Sequence, residues 1–201
     1  INEMSNSCKI PVTAKTRIGF DNTEEFDYLN MFINKIKDAG SSTIILHARK
    51  AILKGLTPKQ NLNIPKLNYK MVYEIKKSNP DLEIIINGGI KNISEAKNHL
   101  NFVDGVMLGR AAYDDPFMLS DIDSEIYSNT KVEISRKDLL TEYLDYVHVM
   151  TKKGYDPKIM LKHVFGLKKG EKDAKRFRVK VAEIMNSSSL VENKDELLSM
   201  V

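Results

Sequence analysis

The chain has 201 residues and a mass of 22.9 kDa, with 42% hydrophobic and 29% charged residues. This composition is typical of a globular protein and excludes a disulfide-stapled miniprotein, a collagen-like chain and a wholly disordered one. The single cysteine excludes a disulfide framework and a zinc or iron–sulfur site built from several cysteines of this chain. Apolar runs fall far short of the roughly 18 residues of a membrane helix. We therefore expect a cytoplasmic protein without a membrane span or a bound metal.

The charges are unevenly distributed along the chain. Residues 1–134 carry 17 basic and 17 acidic side chains, whereas residues 135–201 carry 14 and 10, so the net charge of +4 lies in the last third. Within that third, residues 152–180 hold 11 basic side chains against 3 acidic ones. Such a block is typical of a surface that binds nucleic acid, although lysines on a solvated helix give the same pattern.

The N-terminus shows no targeting signal. The sequence opens with Ile1, without an initiator methionine, a basic segment or an apolar segment, so no secretory signal is predicted. Its first residues resemble the interior of a helix. We therefore expect this chain to be a piece of a longer one.

Hydrophobic periodicity predicts two architectures in succession. In the first part, short β-rich segments alternate with helical patterns, which is typical of βα units on a parallel sheet. The predicted strands are residues 11–18, 43–48, 82–87 and 103–109, and the helices that follow them are 24–37, 66–78, 93–100 and one that begins near 116. After a connection at 129–133, helical spacing is found over residues 139–147, 159–167, 174–185 and 192–200. This second part is predicted to be a helical module.

Four βα units can be completed in two ways. A parallel sheet is either covered on both faces or closed into a barrel, and a (βα)8 barrel needs about 200 residues or more for its eight units. Residues 1–134 have room for half of such a barrel. The alternative is a small open doubly wound sheet.

Both architectures bind ligands at the loops that follow the strands. Lys15 and Arg17 end the first strand two residues apart and therefore point to the same side. His47 ends the second strand and precedes a long loop, 50–66, of a length that is usually either functional or disordered. Glycines follow the last two strands, where their N–H groups and a following helix can hold a phosphate. They are Gly88 and Gly89 after the third strand and Gly109, followed by Arg110, after the fourth.

Five ordered segments carry a resemblance to a known family. They are residues 11–19 (PVTAKTRIG), 47–51 (HARKA), 55–59 (GLTPK), 87–90 (NGGI) and 104–110 (DGVMLGR). In order and spacing they are similar to the C-terminal part of the tRNA-dihydrouridine synthases, most of all the A subfamily, and residues 162–167 and 174–178 resemble its terminal helical motif. The resemblance implies an α/β fold: the C-terminal half, strands 5 to 8, of an FMN-binding (βα)8 TIM barrel over residues 1–130, followed by an all-α tRNA-binding domain over 131–201.

The resemblance also implies an activity and roles for particular residues. The family reduces a uridine of the tRNA D-loop to 5,6-dihydrouridine, here of the 20/20a type, with FMN as cofactor and NADPH as co-substrate. The base leaves its stack so that its ring can lie against the flavin. Lys15 would stabilise negative charge on the reduced ring, and His47 would contact FMN. The other implied contacts are those of Asn87, Gly88, Gly89, Gly109 and Arg110 with the phosphate, and of Arg49, Lys59, Lys175 and Arg178 with tRNA.

Departures from the family pattern limit what this chain is expected to do alone. The proton-donating cysteine of the family belongs upstream of these residues, and Cys8 is not in its place, so no residue of this chain is predicted to be the catalytic acid. Leu62 stands where the family usually has Arg, and Lys175 replaces an Arg, so the choice of uridine is less defined because Lys lacks the bidentate fork. We expect the isolated chain to be inactive and to bind FMN weakly, and the full-length protein to be a monomer.

Two other functions stay open. The chain can be an RNA-binding module that uses residues 152–180 without a flavin. It can also belong to another FMN-dependent TIM-barrel oxidoreductase, such as a dihydroorotate dehydrogenase, which shares the phosphate site but lacks the basic helical tail. Flavin absorbance of the purified protein tests the first alternative, and salt-dependent tRNA binding tests the second.

Overall fold

The computed structural model describes residues 1–23, 25–127, 130–186 and 194–201. The chain divides into two compact units, Ile1–Gly109 and Arg110–Val201. The first unit is α/β and the second is helical. In the parts of the chain that the structure describes, no helix combines the length and the hydropathy needed to cross a membrane.

A parallel sheet forms the centre of the first unit. Its strands are β1 (Ala14–Arg17), β2 (Thr43–His47), β3 (Glu83–Asn87) and β4 (Gly105–Met107), hydrogen-bonded in the order β1-β2-β3-β4. The helices of this unit are α1 (Asn2–Ser7), α2 (Phe26–Asp38), α3 (Pro58–Asn61), α4 (Tyr69–Ser78) and α5 (Ile93–Leu100). Helical segments join each strand to its parallel neighbour, which confirms the predicted βα alternation.

One face of this sheet is buried under helices. Leu46 of β2 and Ile86 of β3 are fully buried, whereas Ile45 and Ile85, which point to the opposite face, are half-buried. Helix α4 packs on both α2 and β3, and α5 packs on β4. Right-handed crossovers between strands in sequential order all place their helices on the same side of the sheet. This strand order therefore favours a sheet with helices on one face only. A doubly wound sheet needs a reversal of strand order, which the described strands do not have.

N-cap residues determine where the crossover helices begin. Thr57, Asn68 and Asn92 each accept a hydrogen bond from the backbone N–H three residues later, which satisfies one of the free donors of a helix start. Thr57 and Gln60 complete a capping box around α3. These caps fix the loops that leave the carboxyl ends of β2 and β3, where the candidate site lies.

The second unit is helical and has its own core. Its elements are α6 (Arg110–Asp114), a 3-10 helix (Pro116–Asp121), α7 (Ile122–Glu125), α8 (Arg136–Lys152), α9 (Pro157–Leu161), a second 3-10 helix (Lys162–Val164), α10 (Ala174–Asn186) and α11 (Lys194–Leu198). A capping box between Ser135 and Asp138 starts α8. The buried core includes Leu140, Leu144, Leu161, Phe177, Val181 and Ile184. The helical spacing predicted from residue 135 onward is thus confirmed over the described residues.

Several predicted boundaries differ from the structure. The first strand is shorter than 11–18, because the register pairs Ala14 with Ile44 and β2 begins only one residue earlier. The helix predicted from 116 is a 3-10 helix followed by α7, and α6 was not predicted.

Parts of three predicted segments lie outside the described residues: residue 24 of the first helix, 129 of the connection and 192–193 of the last helix. The unit boundary after Gly109 precedes the predicted domain boundary at 130, which stays a prediction.

Candidate functional site

The carboxyl ends of the strands form one row of side chains. The register aligns Arg17 with His47, His47 with Asn87, and Asn87 with Met107. Residues aligned in neighbouring strands point to the same face, and this row shares the face of Ile45. The row therefore lies on the less buried face of the sheet.

Lys15 lies two residues before Arg17 on the same face of β1, and its side chain extends to this row. Its Nζ donates to Oδ1 of Asn87 at 3.3 Å, across the intervening strand β2. Nδ2 of Asn87 donates to the carbonyl oxygen of Met107 at 2.7 Å, which fixes the amide and turns Oδ1 toward the ammonium group. Among the described residues, no carboxylate contacts Lys15. Its positive charge is therefore held in place by a neutral acceptor.

His47 presents a proton donor beside a glycine turn. Its Nδ1 accepts a hydrogen bond from the backbone N–H of Arg49 at 3.2 Å, so the neutral imidazole carries its proton on Nε2. A Cβ added at Gly88 would lie 3.0 Å from Cε1 and 3.2 Å from Nε2 of this ring. The imidazole can lie this close to the turn because Gly88 has no side chain.

Gly88 and Gly89, the glycine turn, adopt left-handed φ angles of +117° and +73°. A Cβ at Gly89 would lie only 2.6 Å from Cδ1 of Leu67 and 3.2 Å from Oη of Tyr69. Within the described ranges, the N–H groups of both glycines donate to no acceptor of the protein. Two free amide donors in a tight turn can bind an anion that offers only acceptors.

Loop 50–66, predicted to be functional or disordered, is organised around Asn61. The Asn61 side chain exchanges two hydrogen bonds with the backbone of Ile52, at 2.7 and 2.8 Å. Nη1 of Arg17 donates to the carbonyl oxygens of Lys50 at 3.0 Å and of Asn61 at 3.2 Å. These contacts tie the loop to the end of β1.

Arg49 binds the later part of the same loop. Its Nη1 donates to the carbonyl oxygens of Asn63, at 3.2 Å, and of Pro65. Burial, with the nearby charge of Arg49 as the second cause, lowers the pKa of Arg17 from its ordinary value. Neither arginine contacts a carboxylate in the part of the chain that the structure describes. This end of the sheet therefore concentrates positive charge.

The start of helix α5 follows the glycine turn after three residues and is organised by its own side chains. The Glu95 carboxylate accepts from the N–H of Lys91 at 2.8 Å, and Oδ1 of Asn92 accepts from the N–H of Glu95 at 2.8 Å. Of the free donors of the helix start, the N–H of Glu95 is thus satisfied by the N-cap side chain. Assistance of the start of α5 in holding a phosphate stays a prediction.

The last two predicted phosphate contacts lie at the unit boundary. Gly109 ends the first unit, and a Cβ added there would meet no atom within 4 Å. Arg110 begins the second unit. The structure thus brings together Lys15, His47, Asn87 and the glycine turn, while the contacts of Gly109 and Arg110 with a phosphate stay predictions.

The predicted tRNA contacts of the second unit are exposed cations. Lys175 and Arg178 lie three residues apart on α10 and are exposed, whereas Phe177 beside them is fully buried. Lys180, in contrast, pairs with Glu196 at 2.7 Å. Other exposed cations of the second unit that, like Lys175 and Arg178, contact no carboxylate of the described residues are Lys137, Lys152, Lys153, Lys158, Lys162, Lys169, Lys172 and Arg176.

Sequence reasoning missed the role of one side chain of the site and the presence of another. The sequence predicts a contact of Asn87 with the phosphate, whereas the structure shows that its side-chain amide orients Lys15. A polar residue at the end of a buried strand is a signal that could have shown it. Tyr69 was not singled out, although its Oη donates to the carbonyl oxygen of Gly88 at 2.8 Å. A tyrosine at the start of a helix carries no signal for such a contact.

The metal-ligating side chains and the single cysteine are the other candidate groups of the chain. Among the residues with described positions, no group of three or more His, Cys, Asp or Glu side chains could hold a metal ion. Cys8 is exposed after α1, and its Sγ donates to the carbonyl oxygen of Met4 at 3.1 Å.

Comparison with known proteins identifies the family. The sequence model of the dihydrouridine synthase (Dus) family matches residues 1–200, so the chain belongs to this family. Similar curated proteins are the tRNA-dihydrouridine(20/20a) synthases of Pseudomonas putida, 38% identical over 178 residues, and of Shewanella oneidensis, 39% identical over 183 residues. The alignments cover 89% and 91% of this chain but 53% and 55% of those proteins, so the chain spans about half their length.

A solved structure of the Salmonella typhimurium RcsB response regulator aligns with 95% of this chain and 99% of its own, at 13% identity. Its TM-score is 0.29, which carries no argument about the fold.

Proposed function

We propose that this chain is the FMN-binding half-barrel and the tRNA-binding tail of an enzyme that reduces uridine to 5,6-dihydrouridine. The proposed substrate is the tRNA D-loop, at positions of the 20/20a type, and the proposed reductant is NADPH. The observation that carries the proposal is the donor set at the strand ends: Lys15, which contacts no carboxylate of the described residues, lies close to His47 and the glycine turn. Family membership and the names of the relatives support it.

In this proposal, β1 to β4 are strands 5 to 8 of a (βα)8 barrel over residues 1–130. The sequential parallel order and the burial of one sheet face support it, because a barrel carries its helices outside. The less buried face carries Lys15, His47 and Asn87, as the inner wall of a barrel would. Residues 131–201 form the helical domain that binds tRNA.

The side chains and amides at the strand ends fit FMN. A phosphate offers only acceptors, and the glycine turn offers two free N–H donors. Lys15, oriented by Asn87, suits the negative charge of a reduced flavin, and the His47 ring lies against the glycine turn, where it would contact FMN. Gly109 and Arg110 complete the proposed phosphate contacts. When bound, FMN supplies the hydride chemistry that protein side chains lack.

The proposed tRNA contacts lie in both units. Lys175 and Arg178 are exposed on α10, and Lys59 is exposed on α3. Arg49 already binds loop carbonyls through Nη1, so in this proposal it shapes loop 50–66 for the RNA. Cationic contacts of this kind give an affinity that falls as salt rises.

The proposal assigns no catalytic acid to this chain. Cys8 is exposed before β1, and no observation connects it with the strand ends. The proton donor is proposed to be a cysteine upstream of residue 1, so the isolated chain should be inactive. The full-length protein is proposed to act as a cytoplasmic monomer.

The test is to incubate the full-length gene product with unmodified tRNA, FMN and NADPH and to map dihydrouridine at single-nucleotide resolution. We expect the modification at positions 20/20a, and a reaction without NADPH is the control. Absence of dihydrouridine with flavin bound would contradict the proposal. Salt-sensitive tRNA binding by a protein that takes up no flavin would instead support the RNA-binding module, which the exposed cations of the second unit favour.

A further inference from the structure

Tyr69 connects the first turn of α4 to the glycine turn. Its Oη donates to the carbonyl oxygen of Gly88 at 2.8 Å. Its ring packs edge-to-face on His99 at a centroid distance of 4.5 Å, and His99 is only 8% exposed. The hydroxyl is therefore carried by a ring whose position is fixed by packing.

The contact of Tyr69 determines which way the peptide between Gly88 and Gly89 faces. The described chain has no cis peptide bond, and in a trans peptide the C=O and the following N–H point in opposite directions. A hydroxyl that holds the Gly88 carbonyl on one side therefore directs the Gly89 N–H to the other side. Within the described residues that N–H donates to no acceptor of the protein.

The hydrogen bond from the Tyr69 hydroxyl matters because the backbone of two successive glycines changes conformation easily. Both have left-handed φ angles, and glycine enters such conformations and leaves them at little cost. Rotation of the peptide between them would turn the Gly89 N–H away and present a carbonyl oxygen instead, which repels an anion. The hydrogen bond from Tyr69 opposes that rotation.

We propose that Tyr69 is a positioning residue that aims the Gly89 N–H at the phosphate of the bound flavin nucleotide. This inference rests on the proposed function, because it names the group that the free amide binds. Tyr69 touches neither the phosphate nor the flavin ring in this proposal. It acts through the peptide that it holds.

Tyr73 provides a matched control in the same aromatic cluster. It lies four residues later on α4, and its Oη bonds Nδ1 of His99 at 2.6 Å. Its ring stacks on Phe102 at 4.5 Å. Removal of this hydroxyl perturbs the same cluster without touching the glycine turn.

The experiment compares FMN with riboflavin, which has the same ring but no phosphate. Dissociation constants of both are measured by flavin fluorescence for the full-length gene product and its Tyr69→Phe and Tyr73→Phe variants. We expect Tyr69→Phe to weaken FMN binding about fivefold, the effect of one hydrogen bond, and to leave riboflavin binding unchanged. Tyr73→Phe should leave the ratio of the two affinities unchanged.

The outcomes separate this inference from the proposed function. Equal losses for FMN and riboflavin, an unchanged affinity ratio in Tyr69→Phe, or the same change in both variants would overturn the inference and leave the flavin site standing. A wild-type protein that binds FMN no better than riboflavin would overturn the phosphate site itself. A measurement on the wild-type protein is independent of variant folding: FMN should shift the Gly89 amide resonance more than riboflavin does, and equal shifts would also overturn the inference.

Discussion

The cations of the two units are held in different ways. At the strand ends, Lys15 is fixed by an amide oxygen, and Arg17 and Arg49 are fixed by backbone carbonyls. On α10, Lys175 and Arg178 are exposed and contact no carboxylate of the described residues. A fixed donor selects one ligand geometry, whereas an exposed cation contributes mainly its charge. We therefore expect each substitution at the strand ends to remove one particular ligand contact. Substitutions of the exposed cations in the second unit should each weaken polyanion binding by a similar amount.

The largest expected effect is on the free energy of unfolding, and it distinguishes the buried face of α10 from its exposed face. Phe177 is fully buried, so Phe177→Ala should lower the free energy of unfolding by about 3–5 kcal/mol. The adjacent Arg178→Ala should change it by less than about 0.5 kcal/mol, because the side chain is exposed. Urea denaturation of the full-length gene product measures both. A large loss in Arg178→Ala would show that this cation is part of the packing and would break the comparison.

The glycine turn provides the next test, because its geometry is fixed by sterics. Gly89→Ala should cost about 2–4 kcal/mol, which combines the strain of a positive φ with the contact to Leu67. Gly55 has a φ of +89° and open space around its Cβ position, so Gly55→Ala should cost only about 1 kcal/mol. The difference in unfolding free energy between the variants isolates the crowding. Equal losses would mean that the turn relaxes and does not hold one geometry.

Local periodicity predicted much of this fold. The alternation of strands and helices follows from side-chain spacing, and the parallel arrangement follows from helices between the strands. The position of Lys15, His47 and the glycines near one another also follows, because the carboxyl ends of parallel strands share one edge of a sheet.

The contacts that orient these groups were beyond such reasoning. Lys15 and Asn87 are 72 residues apart, and Tyr69 and Gly88 are 19 apart. Each contact depends on a side-chain rotamer and on the lateral distance between elements, which no local pattern encodes. The short helix α6 was missed for a related reason, because five residues after a strand carry too few turns to show a period.

Salt dependence tests the exposed cations of the second unit. The double variant Lys175→Ala/Arg178→Ala should make the plot of log affinity for tRNA against log salt less steep by about 0.7–0.9 per lost phosphate contact. Lys180→Ala is the matched control, because the charge of Lys180 is balanced by Glu196 on α11. Its slope should stay close to that of the unmodified protein. Equal slopes for the double variant and the unmodified protein would contradict a role of this face in binding tRNA.

The smallest expected effect is a pH dependence of the stability of the first unit, caused by the titration of His99. Burial, partly opposed by the charge of Glu95, lowers the pKa of His99 from its ordinary value. The folded protein therefore keeps this ring neutral while the unfolded chain takes up a proton below about pH 6.5. The stability that His99 contributes is complete above that pH and is lost as the pH falls toward the pKa of the folded state.

We expect the free energy of unfolding of the full-length gene product to fall as the pH is lowered below about 6.5, and to fall less in His99→Asn. The imidazole proton resonance of His99 should titrate with a midpoint below that of a histidine in a model peptide. A midpoint at or above that value would mean that the ring between Tyr69 and Tyr73 is open to water. The aromatic rings that support the glycine turn would then not be rigidly packed. The donors at the strand ends would in that case be no more fixed in position than the exposed cations of α10.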